Sequence, residues 1–185
     1  MMTRWRFKAS ADEIYTILSE PVEYPRWWPS VYLRVRQLAP GRVLLHTRGL
    51  LPYTLTWTAQ TTERRPPNRI VIKATGDFQG TGEWSIVPDG EHVDVTFDWK
   101  LEAEKPLLRY LTFLLRPAFE ANHRWAMEQG RRSLELELAR YRSNTVEEIN
   151  TVPPPPRAID SMRREVIAGS VIALAVAAAI IRGPR

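Results

Sequence analysis

The chain has no cysteine. Disulfides and thiolate metal sites are therefore excluded, and the composition fits a reducing compartment. Histidine is nearly as scarce, with only His46, His92 and His123. These are far apart and no pair stands at metal-ligand spacing, so neither a metal nor a cofactor is expected. No Gly-x-Ser-x-Gly turn supports a serine nucleophile. The glycines at 76, 80 and 82 lie between two predicted strands and lack the lysine that ends a phosphate loop. Met1 to Lys8 has basic residues but no apolar core, so it does not read as a secretory signal. Paired carboxylates for hydrolysis have no positive sign: Asp94 and Asp98 share the polar face of one strand and read as solvated.

Charge excludes little more. The formal net charge is +5, but residues 157–185 hold five arginines against Asp160 and Glu165. That tail carries +3, which leaves +2 for residues 1–156. The folded part is near neutral, so the high pI is no argument for nucleic-acid binding.

What the sequence does have is tryptophan, seven in 185 residues. Each large aromatic buries roughly 150–250 Å², enough for seven to fill a core or line a cavity. Trp5 and Phe7 alternate with Arg4, Arg6 and Lys8, which predicts a first strand. Ser10 with Glu13 forms a capping box before a short helix carrying Ile14, Ile17 and Leu18. Pro21, Pro25 and Pro29 then break the chain into a turn and a loop bearing Trp27 and Trp28. About six strands follow with period-two alternation, among them Tyr53 to Ala59 and Val93 to Leu101. Their short connections imply an antiparallel meander. His46 alternates with Leu45, and its inward or outward direction stays open.

From Lys105 to Ser143 the period becomes helical. Phe119, His123, Ala126, Gly130, Leu134, Leu138 and Tyr141 form one stripe of an amphipathic helix. A mid-helix glycine costs about 1 kcal/mol relative to alanine, so Gly130 implies a close approach. Pro117 predicts a break or kink near Leu115. The sum is an α+β fold in which a curved antiparallel sheet grips a long helix. Domain boundaries follow as 1–143 for the folded domain, 144–162 for a Pro-rich linker and 163–185 for a C-terminal apolar helix. Pro153 to Pro156 reads as a stiff spacer. Residues 166–181 carry no charge and are flanked by Arg163, Arg164, Arg182 and Arg185. A spanning helix needs about 17 to 25 apolar residues, so the run is slightly short. It reads as a single-pass membrane anchor with the preceding domain on the cytoplasmic side. Packing on a partner or lying in the interface is the alternative.

The order of elements is distinctive. A strand and helix precede Tyr24, Pro25, Arg26, Trp27, Trp28 and Pro29. Strands follow with Gly76, Asp77, Phe78, Gln79 and Gly80. The long helix carries Asn122, His123, Arg124, Trp125, Ala126 and Met127. This resembles the START/Bet v 1-like (SRPBCC) superfamily, and within it the polyketide cyclase/dehydrase or lipid-transport-like proteins, over residues 2–142. The resemblance implies a helix-grip fold with an apolar cavity between sheet and helix. It also implies a hydrophobic small-molecule ligand such as a lipid, a quinone or a polyketide. It carries no family-wide catalytic signature. The cavity-lining candidates are Trp28, Tyr53, Trp57, Trp84, Phe97, Trp99, Phe119, Asn122 and His123. The expected function is binding or transfer of that ligand by a membrane-tethered protein. The alternative is a cyclase, aromatase or dehydratase in which His123 moves a proton.

Overall fold

The computed structural model describes residues 1–50, 53–77, 79–102 and 106–157, without the side chains of 101–116. Strand β1 (Met2–Phe7) leads into helix α1 (Ala11–Leu18), a 3-10 turn (Pro21–Glu23) and the single turn α2 (Tyr24–Trp27). Strands β2 (Tyr32–Ala39), β3 (Arg42–Arg48), β4 (Thr54–Arg65), β5 (Arg69–Gly76), β6 (Gln79–Asp89) and β7 (His92–Glu102) follow. Helix α3 (Pro106–Arg142) and the short α4 (Val146–Thr151) complete the described chain.

All seven strands form one antiparallel sheet in the order β1-β7-β6-β5-β4-β3-β2. Register shifts at Tyr32/Arg34, Gln37/Ala39 and Thr61/Glu63 mark bulges, which bend and twist a sheet. The alternation seen in the sequence is the alternation of its faces. Trp5 and Phe7, Val43 and Leu45, Trp57 and Ala59, Trp84 and Ile86, Val93 and Val95 are all buried. Their neighbours along each strand point the other way. This is the expected helix-grip arrangement, with the long C-terminal helix lying in the curve of the sheet.

The local signals act as anticipated at the start of the chain. Ser10 caps α1 by accepting from the Glu13 amide, and the Glu13 carboxylate accepts from the Ser10 amide at 2.7 Å. Arg142, the last residue of α3, donates to Glu13 at 2.6 and 3.0 Å and so ties the two helices together. Its guanidinium holds the Glu13 carboxyl down at about 2.

One expectation is corrected, and the open direction of His46 is resolved. The helix does not end near Leu115, because α3 runs without interruption through Pro117. Pro117 is exposed. On the solvent side of a helix, water can meet the carbonyl that loses its donor. His46 is on the outer face, opposite Leu45, where it borders a hollow with Arg34, Arg36, Leu44 and Thr56. Leu45 is 2% exposed, and strict alternation then sends His46 outward.

The anchor between α2 and α3 is aromatic. Trp27 and Trp28 are 1% and 2% exposed and stack at 5.5 Å. A Cβ at Gly130 would overlap the Trp28 ring, which explains the glycine on the buried stripe. Arg26 reinforces the same seam by donating to the buried Glu137 carboxylate at 3.0 Å. Tyr24 donates from its hydroxyl to the Leu18 carbonyl at 2.6 Å and holds α2 against α1.

The balance at residue 130 can be decided by magnitude. Alanine gains about 1 kcal/mol of helix propensity over glycine, while overfilling a close-packed core costs about 1–3 kcal/mol. Trp28 is hemmed in by Trp5, Tyr24, Trp27 and Tyr32, so the ring has little room to yield. G130A is expected to lower the unfolding free energy by about 1–2 kcal/mol in urea denaturation. An unchanged or raised midpoint would show that the seam is loosely filled.

Candidate functional site

The inner face of the sheet carries a continuous aromatic band. Trp5 meets Trp84 at 5.3 Å between ring centres, and Trp84 stacks on Phe97 at 4.3 Å. Phe97 stacks on Trp99 at 5.6 Å, and Trp99 meets Trp57 edge-on at 6.0 Å. The band follows from register: Trp84 and Phe97 are direct partners across β6 and β7. Gly82, the partner of Trp99, leaves that ring its place, since a Cβ there would approach it to 2.6 Å.

The band has two unlike ends. One joins the core that holds α1, α2 and the far half of α3. There Trp5, Trp28 and Trp84 pack with Ile86, Met127, Leu134 and Leu138. The other belongs to a separate cluster of Val43, Leu45, Trp57, Ala59, Ala74 and Trp99. The second end is the candidate site.

Polar groups border it on the helix side. His123 Nε2 and Thr3 Oγ1 share a hydrogen bond at 3.1 Å. Thr3 stands opposite Phe97 in the β1–β7 register, so this pair lies beside the band. Burial pushes the imidazole pKa below the ordinary 6.5, helped by the positive charge of the chain's amino terminus. His123 is thus held neutral near pH 7, where it can accept a proton as well as donate one. Asn122 turns to the opposite side, where its Oδ1 accepts from the Leu50 amide at 2.7 Å. It thereby clamps the loop that joins β3 and β4 onto α3. On the sheet side, Trp57 Nε1 donates to Thr47 Oγ1 at 3.1 Å, which leaves the ring faces of Trp57 as the apolar surface.

The nine candidates therefore fall in four places. Trp57, Trp84, Phe97 and Trp99 form the band, and Phe119, Asn122 and His123 stand on consecutive turns of α3. Trp28 lies in the filled seam at the far end. Tyr53 is at the rim, 41% exposed, where partial burial raises its phenol pKa. Sequence reading missed Thr3 and Thr47. Both were visible in the alternation, since Thr3 shares a face with Trp5 and Phe7, and Thr47 with Val43 and Leu45. Two further buried donors, Trp27 Nε1 and Trp28 Nε1, have no acceptor.

Among the described residues no cluster of acidic or histidine side chains could hold a metal ion. Among the same residues no helix is long and apolar enough to cross a membrane. The expected anchor, residues 166–181, lies outside the described residues.

A curved seven-stranded sheet closed by a long C-terminal helix, with an aromatic inner face, defines a START/Bet v 1-like domain. The chain belongs to the family described as polyketide cyclase / dehydrase and lipid transport, whose profile matches residues 3–138. Solved structures agree on the fold. A protein of Thermus thermophilus superposes with a TM-score of 0.62 at 18% identity, over 77% of this chain and 99% of that one. The Zhui aromatase/cyclase of Streptomyces gives 0.60 at 18% identity, over 78% and 95% of the two chains. A conserved protein of Geobacillus kaustophilus gives 0.55 at 11% identity, over 75% and 93%. The comparison with curated proteins finds no match.

The state of His123 is open to measurement. A folded-state pKa below the unfolded value means that the unfolded chain binds the proton first. The contribution to stability is therefore present above about pH 6.5 and is lost as pH falls through the lower folded value. The His123 ring should titrate below 6.5 when followed by NMR. H123Q should flatten the stability profile across that window, and a ring titrating at or above the ordinary value would contradict the burial argument.

Proposed function

We propose that this protein binds or transfers a hydrophobic small molecule of the lipid, quinone or polyketide-like class. The observation that carries the reading is the band from Trp84 through Phe97 and Trp99 to Trp57, with His123 of α3 bonded to Thr3 beside it. Ligand sites are mostly apolar, with a few polar groups that orient the ligand. Ring faces supply the first requirement. Thr3, His123 and Asn122 supply the second. Tyr53 at the rim and Trp28 at the far end would bound the site. Family membership favours the same reading.

The second part of the proposal is the tether. Residues 166–181 are free of charge and arginine-flanked, which suits a short spanning helix with snorkelling ends. Basic residues just before the run slightly outnumber those after it, which favours the domain on the cytoplasmic side. A carrier held at its lipid source gains effective concentration without any new contact.

An enzymatic reading has one observation in its favour. His123 is half-buried, which lowers its pKa, and hydrogen-bonded beside the aromatic band. A histidine so placed can take and return a proton at an enolisable carbon, in keeping with the likeness in fold to an aromatase/cyclase.

Native mass spectrometry of the detergent-solubilised full chain tests the main reading. A retained apolar molecule, or uptake of a fluorescent lipid, is expected. Neither signal with well-folded protein would sink the carrier. For the enzymatic reading, H123Q should abolish turnover of a cyclisable poly-β-ketone while leaving its binding intact. Turnover that survives the substitution would remove His123 from the chemistry.

A further inference from the structure

The outer face of the sheet is divided by charge. Around the β4–β5 turn the outward cations are matched: Arg65 and Arg69 meet Glu63, and Arg69 also meets Glu83 on β6. On β1 and β7, Arg6 meets Asp89 and Asp94, and Lys100 meets Asp98, while Arg4 alone has no ion pair among the described residues. The other end of the same face is different. Arg34, Arg36, Arg42 and Lys73 are exposed and make no ion pair among the described residues. Register gathers them into rows. Arg34 stands beside His46 and Thr56, and Arg36 beside Leu44 and Thr58. Arg42 stands beside Gln60, which faces Lys73. A carboxylate at the rim, Asp77, is turned to the Thr56 amide at 2.6 Å.

Four strands at a spacing of about 4.8 Å spread this field over roughly 14 Å. Between the cations are threonines and Gln60, which are neutral and hydrogen-bonding. Arg34, Arg36, Leu44, His46 and Thr56 line a shallow hollow of about 370 Å³, large enough for a phosphate group.

The route of the chain leads to the edge of this field. After α4, Arg140 donates to the Pro153 carbonyl. Pro154, Pro155 and Arg157 then border a second hollow with Pro29 and Arg48. Arg48 follows Leu44 and His46 in strand parity on β3, next to the edge strand β2. The described chain ends there, and in sequence only eight residues separate Arg157 from the charge-free run 166–181.

We propose that the outer face of β2 to β5, with Arg34, Arg36, Arg42 and Lys73, docks on the anionic headgroups of a lipid bilayer. The choice of a bilayer over another polyanion rests on the tethered reading above. The charge argument stands on geometry alone. A broad group of unmatched cations suits an extended anionic surface, and the chain leaves the domain at that side. Docking would hold the domain in one orientation, where a tether alone would leave it free to turn.

The test uses the full chain with phosphatidylcholine vesicles and with mixed phosphatidylcholine–phosphatidylglycerol vesicles. Wild type should prefer the mixed vesicles, and the preference should fade as added salt screens it. The R34Q/R36Q/R42Q/K73Q variant should lose about five-fold of that preference for each cation removed. A control, R4Q/K8Q/R124Q/R132Q, removes the same charge elsewhere and should keep most of it. Equal losses in the two variants would reduce the effect to net charge and overturn the face. Equal binding of wild type to both vesicle types would overturn docking while leaving the tether standing. Failure to bind any vesicle would overturn both. Tighter binding to soluble polyglutamate than to mixed vesicles would overturn the lipid assignment. None of these results bears on ligand retention, which native mass spectrometry reads separately.

Discussion

One contact decides where the long helix can lie: the bare backbone of Gly130 against the buried ring of Trp28. A helix meets a sheet through side chains that stand off by their own size. Removing a side chain at one point lets the helix axis drop toward the Trp27–Trp28 segment there. Arg26 on Glu137 and Arg142 on Glu13 then fix the same half of α3 to α2 and α1. The far half of the helix is thereby set at one depth and one angle. Whatever room exists between sheet and helix must lie toward the other end, beside Trp57 and Trp99.

That asymmetry gives the aromatic band two jobs. At the Trp5 end it is core, shared with Met127, Leu134 and Leu138. At the Trp57 end it belongs to a separate cluster, bordered by polar groups that are each held in place. Thr3 fixes the His123 ring, Leu50 fixes Asn122, and Thr47 fixes the Trp57 edge. A side chain already hydrogen-bonded cannot collapse into a neighbouring space without leaving a buried partner unmet, at a cost of about 1–3 kcal/mol. The three bonds therefore keep the apolar surfaces presented rather than folded over.

Most of this was legible in the sequence because one face of every strand is buried. Period-two alternation fixed which residues of β1, β4, β6 and β7 point inward, and the capping box of Ser10 and Glu13 fixed the start of α1. Gly130 announced a close approach, although its partner proved to be Trp28 rather than a sheet residue. Other features depended on quantities that a linear reading does not hold. The consequence of Pro117 turned on its exposure, since a proline facing water bends a helix without ending it. Helix α4 has only six residues, too few for a periodic signal. The Thr3–His123 bond joins positions 120 apart in sequence. No local pattern announces such a pair, even though each member sits on a face that was read correctly.

The charged half of the outer face shows the same limit from another side. Alternation alone says that Arg34, Arg36, Arg42 and Lys73 point outward, and outward arginines are ordinary. Composition even argues against a patch, because residues 1–156 are near neutral. Neutrality in sum conceals separation in space. The acids gather on β6, β7 and the end of β4, where they consume the cations next to them. Only the strand order, with β2 and β3 at the edge away from β7, leaves one group of cations unmatched. A domain that needed cations merely for solubility could have scattered them among those acids. Their gathering on β2, β3 and β5, in one half of the sheet, is a property of the fold's register, and it makes that register part of how the protein would meet a charged surface.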